Sequence, residues 1–271
     1  RLPFGRGPKA GCNTLTTDHL SACAEMVRRG DPDRFLAAMS APPEARQALF
    51  PLFAANLEIA RAPWVTQEPM IAEMRLQWWA DACEEAVAGK IRTHEVMTPL
   101  GGVIQARKLP LELFTQMIEA RRWDIYRDPF EDDAALIAYL DNSGGALMAA
   151  SLRAIGVEGC DAPARAVGRA RALAAFLRAV PELEGRGRIP LVDGRPDAVA
   201  ALARTGLSWL AEAKGAGLPW AAAPALRAGW QAGPILKMAA REPFRVAAGA
   251  LDRSEAARRA GLLWRAFLGR W

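Results

Sequence analysis

The sequence predicts an all-α fold, a single-domain helical bundle with a central cavity. Three observations carry this. Alanine is abundant, β-branched residues are few and only two tyrosines occur in 271 residues, a balance that favours helix over sheet. Apolar residues recur at helical spacing in one stretch after another, with no convincing strand alternation and no fixed-period repeat. A chain that is 51% hydrophobic and 24% charged is also long enough, and apolar enough, to bury a core. Bundles of this kind enclose apolar cavities between their helices, which is where a site is expected.

The elements follow in order. Residues 1–16, rich in Gly, Pro and Thr, read as a loose segment, and Asp18 as the cap of a helix running to about Arg29. "DPDRFLAAMSAPP" gives a short helix and a break. A helical pattern then runs from Glu44 to about Arg61, with Pro51 kinking or dividing it. Further helices are predicted near 68–88, 97–107, 110–122, 131–156 and 161–180. Pro181, Pro190, Gly194 and Pro196 mark a loop over 181–198, and short helices broken by Gly and Pro are expected over 197–242. The stretch 17–271 reads as one domain.

Several function classes are poorly supported. The four cysteines, Cys12, Cys23, Cys83 and Cys160, are scattered without a C-x-x-C pair, which argues for a reducing compartment and against a disulfide framework or a thiolate zinc site. "GRGPKAG" has no preceding strand to make it a phosphate loop. The two histidines, His19 and His94, lie in dissimilar contexts and suggest no nucleophilic triad. The cations are too dispersed for nucleic acid. The net charge of +5 suits an anionic membrane surface or a phosphorylated ligand as well as an ordinary soluble protein. No apolar run reaches transmembrane length. Of the carboxylates spaced i, i+4, Asp128 and Asp132 flank Pro129 in a predicted loop, while Asp81 and Glu85 share a polar helix face with Gln77 and Glu84.

Two stretches carry the functional reading. In "ARALAAFLRAVPELEGRGRIPL" one apolar face runs through Leu173, Ala174, Leu177 and Val180, and a second stripe through Ala175, Ala179 and Leu183, followed by Arg186 and Arg188. In "SEAARRAGLLWRAFLGRW" the residues Ala260, Leu263, Trp264, Phe267, Leu268 and Trp271 share a side flanked by Arg258, Arg259, Arg265 and Arg270. That profile fits either an interfacial membrane helix or a helix docked on the core.

Taken in order, "DPDRFLAAMSAPPEARQALFPLFAANLEIAR", "FTQMIEARRWDIYRDPFEDDAALIAYLDNSGGALMAASLRAIG" and "GRARALAAFLRAV" with "GRGRIPL" resemble the squalene/phytoene synthase superfamily over most of residues 32–270. Asp124, Tyr139 and Gly145 fall in matching places. The resemblance implies an isoprenoid-synthase-type bundle, in which active members hold magnesium and substrate diphosphates between two aspartate-rich helices. In this chain Ala60 and Trp64 stand about where the first motif has its aspartates, with Glu58 displaced and Arg61 adding a cation. Ala175, Ala179 and Leu183 stand where the second has an Asn and two Asp, while the accompanying Arg178 is retained. "EPMIAEMRLQWWADACEE" is similar to a branch containing alphaproteobacterial proteins and the mitochondrial assembly factor of respiratory complex I. Its Trp78 and Trp79 suit either groove packing or a partner anchor.

The resemblance therefore implies a protein without catalytic residues or metal, acting as a peripheral assembly or interaction factor at a membrane or a membrane-protein assembly intermediate. The expected location is cytoplasmic, at the bacterial inner membrane, or the equivalent mitochondrial matrix side. Asn56, Glu58, Arg61, Asp124, Tyr139, Arg178, Arg186 and Arg188 are the candidate cavity or anion-binding residues, and Trp264, Phe267 and Trp271 the candidate membrane or partner face. Two alternatives stay open. One is an active magnesium-dependent prenyltransferase in which Glu58, Asp81, Glu85 or Asp124 substitutes for the missing ligands; the other is an isoprenoid- or lipid-binding module. Nucleic acid is not an expected partner.

Overall fold

The computed structural model describes residues 11–271, with side chains from residue 18 onward, and residues 1–10 lie outside the described part. Helix α1 spans Gly11–Gly30, so residues 11–16 belong to a helix and Asp18 sits inside it instead of capping it. No proline or glycine separates Cys12 from Gly30, and nothing stops the helix from starting early. Asp31 then caps α2 (Pro32–Met39), accepting the Arg34 backbone N–H at 3.0 Å, with proline in the first turn. Helix α3 (Pro43–Arg61) runs through Pro51 undivided. Pro51 lies among the buried residues Leu49, Phe50, Leu52 and Phe53, whose removal from water outweighs the lost hydrogen bond.

Helices α4 (Pro69–Val87), α5 (Met97–Arg107) and α6 (Leu111–Ala120) pack around Leu76, Met97, Leu100, Ile104 and Phe114, all fully buried. Next come α7 (Asp133–Leu140), one π-helical turn (Asp141–Gly145) and α8 (Ala146–Ala154), which follow one another without a break. The wide turn brings its glycines against α9 (Asp161–Gly185). A methyl group on Gly144 would stand 2.6 Å from the Gly168 carbonyl oxygen and 2.5 Å from the Ala172 Cβ. Glycine here permits backbone-to-backbone packing that any side chain would prevent.

α9 continues through Pro181 to Gly185, beyond the end at 180 that its prolines suggested. Leu177, Val180 and Leu183 form one buried row across the proline, and their burial holds the helical path. The helix stops at Gly187, whose φ of +75° suits glycine. The Gly187 N–H donates to the Glu184 carbonyl at 2.8 Å, and the Arg188 N–H reaches back to the Leu183 carbonyl at 3.0 Å. This C-cap reverses the chain.

The region expected as short helices contains one long one, α10 (Pro196–Gly215), then α11 (Ala223–Leu226), α12 (Ala232–Arg241) and α13 (Phe244–Ala247). Val199, Ala203, Gly206, Leu210 and Ala213 give α10 a buried face that tolerates the glycine at its centre. Ser254 caps α14 (Glu255–Phe267), which docks through buried Leu262 and an Arg258–Asp33 ion pair of 2.5 Å to the start of α2. Cys23, Cys83 and Cys160 are free thiols, and burial pushes the first two up to about 12. Among the described residues no helix is long and apolar enough to cross a membrane.

The crossing of the π turn and α8 over α9 should tolerate no added bulk. Gly168→Ala is expected to lower stability by about 1–3 kcal/mol. Gly102→Ala, at a helical glycine with open space around it, should instead raise stability by about 0.5–1 kcal/mol. Urea unfolding monitored by far-UV circular dichroism measures both.

Candidate functional site

One cavity of about 400 Å³ lies between α3 and α9 and is floored by the π-turn residues Ser143 and Gly144. The two helices present to it the positions singled out in the sequence. Asn56, Ala60, Arg61 and Trp64 face it from α3 and the turn that follows, and Ala172, Ala175, Ala179 and Leu183 from α9. The helical period produces this arrangement, since residues four apart share a face. Phe176 adds an aromatic wall that continues into Tyr139, Trp123 and Phe130, the last two stacked at 4.1 Å between ring centroids.

The polar part of the wall is arginine-rich: Arg34, Arg121 and Arg171 join Arg61 and Arg186. Most of these cations are already engaged. Asp31 lies between Arg34, 3.5 Å away, and Arg171, which donates to the same carboxylate. Arg34 also donates to the Asn56 side-chain oxygen at 2.7 Å. Burial opposes ionisation of Asp31, but the Arg171 and Arg34 guanidiniums more than offset it and hold the carboxyl below its usual range. Burial and the neighbouring Arg171 cation pull Arg34 down to about 9, which leaves it charged at neutral pH.

A second network joins Arg121, Asp124 and Tyr139. Arg121 donates to the Asp124 carboxylate at 3.0 Å and to the Tyr139 oxygen at 2.6 Å, and the Tyr139 hydroxyl donates to Asp124 at 3.2 Å. Asp124 is 4% exposed, and burial raises its carboxyl above the usual range despite the Arg121 and Arg188 cations beside it. Burial raises the Tyr139 phenol as well. At the cavity rim, Arg186 pairs with Glu182 at 2.6 Å and lies 4.8 Å from the Trp64 ring centroid. Among the described residues, Asp124 and Glu182 are the two carboxylates facing the cavity, and each is bonded to an arginine. Among the described residues, no group of three His, Cys, Asp or Glu side chains is placed to hold a metal ion.

Other candidates lie elsewhere. Glu58 faces a neighbouring groove lined by Trp78, Trp79 and His94, and pairs with Arg61 at 3.7 Å. Arg178 leaves α9 on another side, bonding Asp252 at 2.5 Å with Asp33 at 4.0 Å. Arg188 is 7% exposed and does not line the cavity. It donates to the backbone carbonyls of Trp123, Asp124 and Tyr126 and lies against the rings of Trp64 and Trp123. Its role is to clamp the turn that carries Asp124, because its donors are spent on carbonyls.

On α4, outside the cavity, Asp81 accepts from Gln77 and Glu85 from Arg92 of the following loop, and Asp132 caps α7. Trp79 is buried and packs edge-to-face on half-buried Trp78, which lies under Arg92. On α14, Trp264 and Phe267 are exposed, but the helix ends at Phe267 and Gly269 (φ +65°) turns the chain. Trp271, past that turn, is half-buried with its ring near Lys214 and lines the same groove as Trp264. Arg34, Arg121 and Arg171 were missed by the sequence reading. Only Arg121, three residues before Asp124 on a helical turn, gave a signal that could have found it.

The architecture defines a class: an all-α bundle in which two long helices face each other across an arginine-rimmed cavity. Residues 27–193 match the squalene/phytoene synthase family, and the chain belongs to it. Among solved structures it is similar to squalene synthase HpnC from Alicyclobacillus acidocaldarius, with a TM-score of 0.73 at 16% identity over 85% of this chain and 96% of that one. It is also similar to a dehydrosqualene synthase crystallised with ligand, with a TM-score of 0.69 at 16% identity over 94% of this chain and 98% of that one.

Curated relatives point in another direction. The chain is 25% identical over 182 residues to the Homo sapiens protein named NADH dehydrogenase (ubiquinone) complex I, assembly factor 6, covering 66% of this chain and 54% of that protein. Its homolog in Drosophila melanogaster is 29% identical over 181 residues, covering 63% of this chain and 53% of that protein. The chain thus spans about half the length of the curated relatives it matches.

Asp31→Asn keeps the α2 cap but removes the charge between Arg34 and Arg171, and should cost about 3 kcal/mol at neutral pH. Because the folded Asp31 carboxyl titrates low, its contribution is complete above the ordinary carboxylate range. It is lost as the pH falls through the folded value, so the two proteins should converge in stability in acid. Denaturant midpoints measured across pH check both the magnitude and the convergence.

Proposed function

We propose that this chain is a non-catalytic member of the squalene/phytoene synthase family, working as an assembly factor for respiratory complex I at the periphery of the membrane. The observation that carries the proposal is the lining of the cavity. At Ala60, Trp64, Ala175, Ala179 and Leu183, where the family resemblance calls for metal ligands, the cavity meets methyl, indole and isobutyl groups. Magnesium requires near-octahedral oxygen coordination, usually with one or two carboxylates supplied by the protein. Among the described residues Asp124 and Glu182 are the carboxylates lining the cavity; Asp124 is held by Arg121 in a buried network, and Glu182 pairs with Arg186 at the exposed rim. This donor set does not fit the metal.

The fold alone does not decide function, which resides in the site. The names of the curated relatives support the assembly reading, as does the apolar stripe that α14 presents outward. The apolar half of the cavity, with Phe176 and Leu140 beside the α9 alanines, favours one further reading: an isoprenoid or lipid chain held without chemistry.

Purified protein incubated with farnesyl or geranylgeranyl diphosphate and magnesium should release no diphosphate above background. Measurable turnover would overturn the non-catalytic reading. A strain lacking the protein should contain less assembled complex I on native gels, and unchanged levels would remove the assembly role. Native mass spectrometry of the purified chain decides the lipid-binding reading, for which a co-purifying lipid mass is the expected result.

A further inference from the structure

α14 carries its apolar stripe on the wrong side for a helix that serves the core. The residues facing the protein are Gly261, Leu262 and Arg265, with Arg258 tied to Asp33. Leu263, Trp264 and Phe267 point away and are 70%, 65% and 84% exposed. A docked amphipathic helix normally buries such a stripe, so its outward placement needs a partner. A separate segment supplies a second protruding aromatic ring. Trp220, in the turn between α10 and α11, is 86% exposed and borders the same groove as Trp264. Among the described residues, the charged side chains lining that groove are Lys214, Arg265 and Arg270, with no Asp or Glu side chain among its walls.

From this arrangement we propose that the groove and the outer face of α14 form a docking surface for an anionic phospholipid bilayer. Trp220, Trp264 and Phe267 enter the interfacial layer, while Lys214 and Arg270 meet lipid phosphates. Indole rings favour the headgroup boundary, where an apolar body and a polar N–H are both accommodated. Cations beside an apolar stripe add attraction to negative headgroups. The surface deepens the membrane-peripheral part of the assembly reading by naming what touches the lipid. Trp271, folded onto Lys214, shapes the groove floor and is not an inserting residue.

Flotation of the purified full chain on vesicles tests this. The chain should float with phosphatidylcholine vesicles containing about one-third phosphatidylglycerol and remain behind with phosphatidylcholine alone. The triple variant Trp220→Ala, Trp264→Ala, Phe267→Ala should lose about tenfold in bound fraction, with its melting temperature unchanged. Lys214→Glu with Arg270→Glu, a surface pair that does not touch the core, should give a similar loss and keeps the test valid if the aromatic variant unfolds. Phe244→Ala, at another exposed aromatic outside the groove, should float like the wild type. Failure to float on anionic vesicles, or equal flotation of every variant, would overturn the proposal. So would a concentration-dependent dimer in sedimentation velocity that the triple variant abolishes, because the face would then serve a second copy. Each result is independent of the diphosphate and complex I assays.

Discussion

The close passage of the π turn over α9 governs the rest of the molecule. Gly144 and Gly168 let two backbones touch, and this contact fixes how α9 lies against α7 and α8. A helix seated there must present one row to the core and the next to α3, so Ala175, Ala179 and Leu183 come to face Asn56, Ala60 and Trp64. The cavity is the space left between two helices that the glycine contact holds in register. Interiors are packed too tightly for that register to slide without a change in volume.

Electrostatics then decides what the cavity can be. An arginine withdrawn from water needs a partner, since an uncompensated buried charge costs several kcal/mol. Asp31 serves Arg34 and Arg171, and Asp124 and Tyr139 serve Arg121, while Arg186 pairs with Glu182 at the exposed rim beside the Trp64 ring. The buried part of the wall is largely satisfied from within the chain. Arg188 completes the frame by holding three backbone carbonyls of the turn that carries Asp124.

The helical class and the two facing stripes were readable in the sequence because a period of 3.6 residues is a local property. The period groups Ala175, Ala179 and Leu183 on one stripe, and the family resemblance is what set that stripe across a cavity from Ala60 and Trp64. Partnership is not local. Arg171 and Asp31 are 140 residues apart and Arg258 and Asp33 are 225 apart, and no spacing rule foretells such pairs. For this reason Arg178 and Arg188 were expected to meet a bound phosphate or lipid headgroup, although one pairs with the Asp252 carboxylate and the other with backbone carbonyls. On α14 the pattern identified the apolar stripe but not its outward direction, which Leu262 and Arg258 set through contacts distant in sequence. Trp271 was placed on that stripe by extending the helical period past Gly269, where the chain turns.

The central claim is that arginine pairing and apolar side chains occupy the places of metal ligands. Crystals soaked with manganese and a non-hydrolysable farnesyl thiodiphosphate test it most directly, because the anomalous signal of manganese locates the ion without reference to activity. The account predicts no manganese peak between α3 and α9, with Glu182 still bonded to Arg186 and Asp124 to Arg121. An ordered manganese ion coordinated by Asp124 or Glu182, with either arginine displaced, would contradict it.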